Sequence, residues 1–308
     1  MPDRIDGRSV SLDDARRMFE VEASCLRLAA PGEPARPAEE IHAWFRHPPA
    51  WERRELWLTD GAAAWLSCRD DGNGTAHVMV APGRRGAGLG SSLLASVVAR
   101  ARSAGITTLL GMCDDDASVR FMRGRGARPG RSLVRQVLDL RQTRRPEPSA
   151  GDLTVASWWR EAPESLLTSY ATAHNAINDA PGDEAELWEW TAERVRESER
   201  AVAARGLEMP VTVLLDGDRV VAFTELRLSP AAGAVAWTGE TAVVPDRRGR
   251  GVAKRLKAAS LRELSARRPD VRLVTTTNEA TNEPMLAVNR AAGFVPVATR
   301  TQVRLDLV

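Results

Sequence analysis

A long internal repeat constrains this chain more than any other feature. Residues 78–98 read VMVAPGRRGAGLGSSLLASVV, and residues 241–261 read TAVVPDRRGRGVAKRLKAASL. Each has a short apolar run, a proline, paired arginines, a glycine-rich turn and an amphipathic segment, with Arg85 opposite Arg248. Further on, RFMRGRGARP matches LAVNRAAGFVP, which places Gly126 opposite Gly293. Each copy closes on a similar strand, VRQVLDL ending at Leu140 and TQVRLDL ending at Leu307. A unit this long is a whole domain rather than a turn of a solenoid, and 308 residues suffice for two cores.

Between the copies, RQTRRPEPSAGD (141–152) is rich in proline and charge and reads as a linker. The expected division is a first domain over 1–140, a linker over 141–150 and a second domain over 151–308. In the second domain, 184–205 reads as a helix marked by Leu187, Trp190, Val195 and Val202. A strand hairpin turns at Asp216-Gly217-Asp218. Another strand (234–244), a helix from Gly251 to about Arg267, a strand (271–277) and a short helix (281–292) follow. The first domain repeats the later part of this plan, with strands around Gly61, at 75–81 and at 107–113. Each domain is thus an α/β (α+β) unit with its glycine turn at a strand-to-helix junction.

Such a junction binds anions. A helix N-terminus carries free N–H groups and partial positive charge, and glycine lets the main chain approach a phosphate. Arg85-x-x-Gly88-x-Gly90 and Arg248-x-x-Gly251-x-Ala253 have this form, with Arg84 and Arg247 adding charge. Neither has the lysine and hydroxyl of a P-loop, nor the third glycine of a dinucleotide turn.

This Arg-x-x-Gly-x-Gly/Ala pattern resembles the acetyl-CoA loop of the GNAT superfamily. It occurs twice, over 60–140 and 211–307, as in fused GNAT pairs of the mycothiol synthase type. The resemblance implies two consecutive GNAT domains, each a bent mixed sheet flanked by helices, whose fourth and fifth strands splay to admit the pantetheine arm. It implies coenzyme A contacts from Ala242, Val243 and Val244 on the strand, and from Arg248, Gly249, Arg250, Gly251, Val252 and Ala253 in the loop. Their counterparts in the first domain are Arg85, Gly86, Gly88 and Gly90. After the fifth strand, Asn278-x-x-x-Asn282 matches the family's asparagine position for the cofactor arm.

Catalysis of amide formation needs a base for the amine, donors for the developing oxyanion and a thiolate that can leave. Alternation places Glu240 with Ala242 and Val244 on one strand face, where relatives carry an acid or histidine base, so Glu240 is the expected base; Thr238 is the other commonly used position. A backbone N–H near Ala242 is the implied oxyanion donor. Asn289 stands where many relatives have a tyrosine acid, and either donates a hydrogen bond there or serves packing. In the first domain the counterparts of Glu240, Asn282 and Asn289 are His77, Asp115 and Met122. The second domain is therefore the expected catalytic one, the first a structural or cofactor-binding one.

Trp188 and Trp190, among Asp179, Asp183, Glu184, Glu186 and Glu189, are suited to a cationic amine, and His174, Asn175 and Asp179 are further lining residues. The expected acceptor is a small-molecule amine: an amino sugar, a polyamine or a natural-product intermediate. A non-catalytic acyl-CoA sensor and a protein N-terminal acetyltransferase are the alternatives. A net charge of +2 gives no field for nucleic acid. The absence of a long apolar run or leader predicts a cytoplasmic protein with no membrane partner, as a monomer or homodimer. Cys25, Cys68 and Cys113 and the four histidines form no metal pattern.

Overall fold

Gly88 and Gly251 both take the left-handed backbone conformation, with φ of +79° and +75°, each as the residue capping the N-terminus of a helix. The repeat in the sequence is therefore a repeat of backbone geometry. These positions come from a computed structural model, which describes residues 3–31, 33–141, 152–179, 187 and 189–307.

The chain divides into two units, one running to Leu133 and resuming at Val297, the other spanning Val134–Pro296. In the N-terminal unit, α1 (Leu12–Ala29) and α2 (Ala38–Arg46) precede an antiparallel run of β2 (Glu52–Thr59), β3 (Ala62–Arg69) and β4 (Asn73–Val80). The short β1 (Arg4–Asp6) pairs with β2. Then come α3 (Leu89–Ser103), β5 (Thr108–Cys113) and α4 (Asp116–Arg123). β4 and β5 are parallel but pair only over Asn73–Thr75 and Thr108–Leu110, beyond which they part. The strand closing this sheet comes from the far end of the chain. Residues Thr301–Asp306 of β12 (Val295–Asp306) lie antiparallel to β5.

The C-terminal unit has β7 (Thr154–Trp158), α5 (Glu164–His174), α6 (Ala192–Ala204), β8 (Val211–Asp216) and β9 (Arg219–Leu228). β10 (Val235–Val243), α7 (Val252–Arg267), β11 (Leu273–Glu279) and α8 (Glu283–Ala292) complete it. β10 and β11 are parallel and pair only over Val235–Trp237 and Leu273–Thr275. Beside β11 lies β6 (Arg128–Asp139), whose second half, from Val134, belongs to this unit. The expected cut near residue 150 gives each half its own closing strand. The strand pairing exchanges them: VRQVLDL closes the C-terminal sheet and TQVRLDL the N-terminal one. Most of the expected linker, 142–151, lies outside the described residues.

The hairpin at Gly217 (φ +59°) and the α7 boundaries match the reading from sequence. The helix expected over 184–205 starts later. α6 begins at Ala192, where the Thr191 hydroxyl accepts from the Arg194 N–H. Leu187 and Trp190 lie before it, and Asn175 clamps the Trp190 backbone outside the helix. The Asn175 side chain accepts from the Trp190 N–H at 2.9 Å and donates to its carbonyl at 3.1 Å. The core beneath is built from Tyr170, Phe223, Leu214, Val221 and Leu256, all buried. Each such large apolar side chain contributes about 1.5–3 kcal/mol on burial.

Candidate active site

The two glycine loops are built alike. The Arg85 Nε donates to the Val80 carbonyl at 3.3 Å, and the Arg248 Nε donates to the equivalent Val243 carbonyl at 2.9 Å. Gly86, Gly88, Gly249 and Gly251 all have positive φ, and a Cβ on any of them would project into open space. Their backbones are thus open to a phosphate group, ahead of a helix N-terminus. Gly90 is different: it lies in the first turn of α3, close to Val80 and Phe121. In the second loop, Arg250 is exposed, Val252 is buried, and Ala253 is half-buried in the first turn of α7.

The neighbouring arginines are committed elsewhere. Arg84 pairs with Asp60 at 2.9 Å and Arg247 with Asp216, so each ties its loop to the hairpin turn beneath it. Arg248 also has an acidic partner. Its guanidinium donates to Asp179 at 2.7 Å and to the Ala176 carbonyl at 3.3 Å. Arg85 pairs with Asp115 at 3.3 Å.

In the N-terminal unit, the parting of β4 and β5 opens onto a cavity of about 590 Å³ that reaches the loop. Arg85, Gly86, Gly88 and Gly90 line it, as do His77, Cys113 and Met122. Burial holds the His77 ring below its usual pKa, and the nearby Arg300 charge adds to this, so the ring is neutral near pH 7. Asp115 caps α4, accepting from the Ser118 N–H at 2.7 Å.

In the C-terminal unit the fourth strand is broken as well as splayed. β4 runs against β3 without a change of register, whereas β10 slips against β9 between Thr238 and Thr241. Gly239 and Glu240 occupy the irregularity, as expected of a bulge that re-aims a side chain. A Cβ at Gly239 would stand 2.9 Å from Glu225 Oε2 and 3.1 Å from Glu225 Cβ, so a larger residue there would displace the Glu225 side chain. The Thr238 hydroxyl is buried without a hydrogen-bond partner among the described residues. An orphaned donor beside the splay is the feature that a ligand carbonyl would satisfy.

Glu240 is half-buried, its side chain 35% exposed, and its Oε2 lies 3.0 Å from His174 Nδ1. His174 was expected to line an acceptor pocket; it is instead 1% exposed. Its Nε2 lies 3.2 Å from Glu225 Oε1, which also accepts from the Tyr170 hydroxyl at 2.8 Å. Burial opposes charge on this ring, but the carboxylates at its two nitrogens outweigh burial and push the pKa up to about 9. Glu225 is likewise penalised by burial, yet His174 and Tyr170 bring it down to about 2. Sequence reading missed Glu225 and Tyr170. The available signal was a single glutamate within the apolar run VVAFTELRL, an acid that needs a buried partner.

Ala242 and Val244 are buried in the core, and Val243 is half-buried. Asn282 caps α8, accepting from the Met285 N–H at 3.2 Å. Asn289 is 0% exposed and donates to Gln136 at 2.9 Å and to Asn278 at 2.6 Å. Both of its N–H groups are therefore engaged in packing bonds. Trp188, with Asp183, Glu184 and Glu186, lies outside the described residues. No group of three or more metal-ligating side chains, and no helix long and apolar enough to cross a membrane, occurs among the described residues.

Residues 15–127 and 165–294 both match the acetyltransferase (GNAT) family. The chain belongs to that family. Among its relatives is a mycothiol acetyltransferase of Clavibacter michiganensis subsp. michiganensis (strain NCPPB 382). It is 31% identical over 254 residues, covering 80% of this chain and 78% of that one. A mycothiol acetyltransferase of Nocardioides sp. (strain ATCC BAA-499 / JS614) is 28% identical, covering 95% and 98%. A solved tandem GNAT protein from the clavulanic acid biosynthesis pathway shares the fold, with a TM-score of 0.81 and 20% identity over 100% of this chain and 99% of its own. The protein is thus a tandem GNAT acetyltransferase with two α/β units of mixed sheet and flanking helices.

Proposed function

We propose that this acetyltransferase moves the acetyl group of acetyl-CoA to the primary amine of a small molecule, with the chemistry in the C-terminal unit. The observation that carries this is Glu240, set by a bulge at the mouth of the parted strands β10 and β11 and anchored from behind by His174. The glycine loops suit the cofactor, since their open backbones and adjoining arginines match a pyrophosphate.

Bound acetyl-CoA supplies the acetyl group as a thioester. Arg248, with the backbone N–H groups from Gly249 to Val252 at the start of α7, takes the negative charge of the pyrophosphate. Glu240 accepts a proton from the acceptor's ammonium group, directly or through water. A backbone N–H near Ala242, where β10 has no β11 partner, donates to the oxygen on which charge develops. Because Asn289 has both N–H groups committed, protonation of the departing sulfur would fall to solvent, which a free thiol's pKa of about 8.5 allows. In the N-terminal unit, the cavity lined by Arg85, Gly86, Gly88, Gly90 and His77 would hold a second cofactor.

The relatives' names as mycothiol acetyltransferases favour a small-molecule acceptor, and amino sugars, polyamines and natural-product intermediates are the classes to try first. Release of coenzyme A thiol should be followed with a panel of these amines and with a peptide library. Turnover with a small amine is expected. Turnover with peptides alone would make the protein an N-terminal acetyltransferase, and cofactor binding without any turnover would make it a sensor.

A further inference from the structure

The C-terminal unit buries a chain of polar groups behind Glu240 that the acyl transfer as described does not use. His174 lies between Glu225, on β9, and Glu240, on β10, with one ring nitrogen toward each. Its faces are covered by aromatic rings. Phe223 stacks at 4.1 Å and 29°, Trp190 lies at 4.4 Å and 39°, and Tyr170 meets it edge-on at 4.6 Å. Trp190 is held in place by the two hydrogen bonds from Asn175.

We infer that His174 is a positioning residue for acyl transfer: anchored by Glu225, it binds one oxygen of Glu240 and so presents the other to the acceptor amine. The inference rests on the reading of Glu240 as the base. Bonding to both carboxylates requires two N–H donors, and only the imidazolium has two; a neutral ring has one and must release a partner. The aromatic faces above and below favour the charged ring further. Other charged and titratable groups are arranged around this pair. Arg227 on β9 lies 3.9 Å from Glu225, Tyr170 on α5 donates to Glu225, and Glu199 on α6 adds negative charge near Tyr170 while held by Arg196.

The ring's raised pKa, about 9, sets where this arrangement fails. Above that pH His174 keeps one N–H for two carboxylates, its hold on Glu240 weakens, and kcat falls along a basic limb. The limb should respond to groups that never touch substrate. Glu225→Gln removes the anion at Nε2, so both the His174 titration and the limb move down by about one pH unit or more. Tyr170→Phe removes a donor that competes for the Glu225 charge, so both move up. Opposite displacements cannot come from lost stability, which changes rates in one direction only.

The test is a pH profile of kcat at saturating amine for wild type, Glu225→Gln and Tyr170→Phe, alongside nitrogen-edited NMR titration of His174. The chain has four histidines, so assignment is tractable. The expected result is a wild-type His174 midpoint near 9, with midpoint and limb moving together, down in one variant and up in the other. The KM for acetyl-CoA should stay within about two-fold of wild type. A limb that stays fixed while the midpoint moves overturns the inference, as does a wild-type midpoint at or below the ordinary histidine value. If Glu240→Gln turns over like wild type while the wild-type His174 midpoint lies near 9 and drops in that variant, the reading of Glu240 has failed, not the described array, and the positioning role falls with that reading.

Discussion

Glu240 Oε2 stands 3.0 Å from His174 Nδ1, so the carboxylate at the break in β10 is bound from behind by a buried ring. One oxygen is therefore fixed, and under the proposed function the other would meet the acceptor. Glu240→Gln should lower kcat by about 10²–10⁴-fold with little change in the KM for acetyl-CoA. Steady-state rates across pH check this, and wild-type turnover at every pH would remove Glu240 from the chemistry.

The same array makes stability depend on pH. The His174 pKa is raised in the folded state, so its contribution is fully present below the unfolded value near 6.5 and is lost as pH rises through about 9. Glu225 has the opposite sign: its contribution is present above the unfolded value of 4.5 and is lost as pH falls through about 2. Denaturant unfolding should show the His174 contribution falling between about pH 6.5 and pH 9, by an amount on the order of 2–3 kcal/mol, against a smaller opposing rise from Lys257, whose pKa burial lowers to about 8. In His174→Phe the alkaline part of that slope should disappear.

Arg248 meets Asp179 at 2.7 Å, so under the proposed function the cofactor's pyrophosphate would compete with a carboxylate for the loop arginine. Both side chains are substantially exposed, and such a pair is worth about 0–1 kcal/mol. Asp179→Asn should tighten acetyl-CoA binding at the C-terminal loop by up to about five-fold. Isothermal titration reads this, and weaker binding would mean that Asp179 supports the loop instead of occupying it.

Asn289 joins Gln136 on β6 to Asn278 on β11 from a fully buried position. Asn289→Leu should destabilise the protein by about 1–3 kcal/mol, because both partners lose a buried donor. Enzyme that remains folded should keep its kcat if, as proposed, the departing sulfur draws its proton from solvent. A large fall in kcat without a loss of stability would restore Asn289 as a hydrogen-bond donor to the departing thiolate.

Much of this was legible in the sequence because local geometry forces it. The glycines at 88 and 251 can only be understood as positive-φ helix caps, and the apolar runs fix β4, β5, β10 and β11. The closing strands were not assignable. VRQVLDL and TQVRLDL have nearly the same pattern, so either can pair with either sheet, and their exchange depends on chain path rather than residue type. The His174–Glu225 contact was hidden for a related reason. It joins α5 to β9 across 51 residues, and nothing in the local pattern of either segment names the other as its partner. Trp190 was misplaced because the clamp from Asn175 overrides its helical spacing.

The most direct test counts bound acetyl-CoA by native mass spectrometry on wild type, Gly88→Glu and Gly251→Glu. Both glycines have positive φ, and a carboxylate there would strain the loop and repel a phosphate. The expected result is two molecules bound to wild type, with one lost in each variant, and loss of acetyl transfer only with Gly251→Glu. No binding to wild type, or a count and a rate unchanged by Gly251→Glu, would contradict the assignment of acetyl transfer to the C-terminal loop.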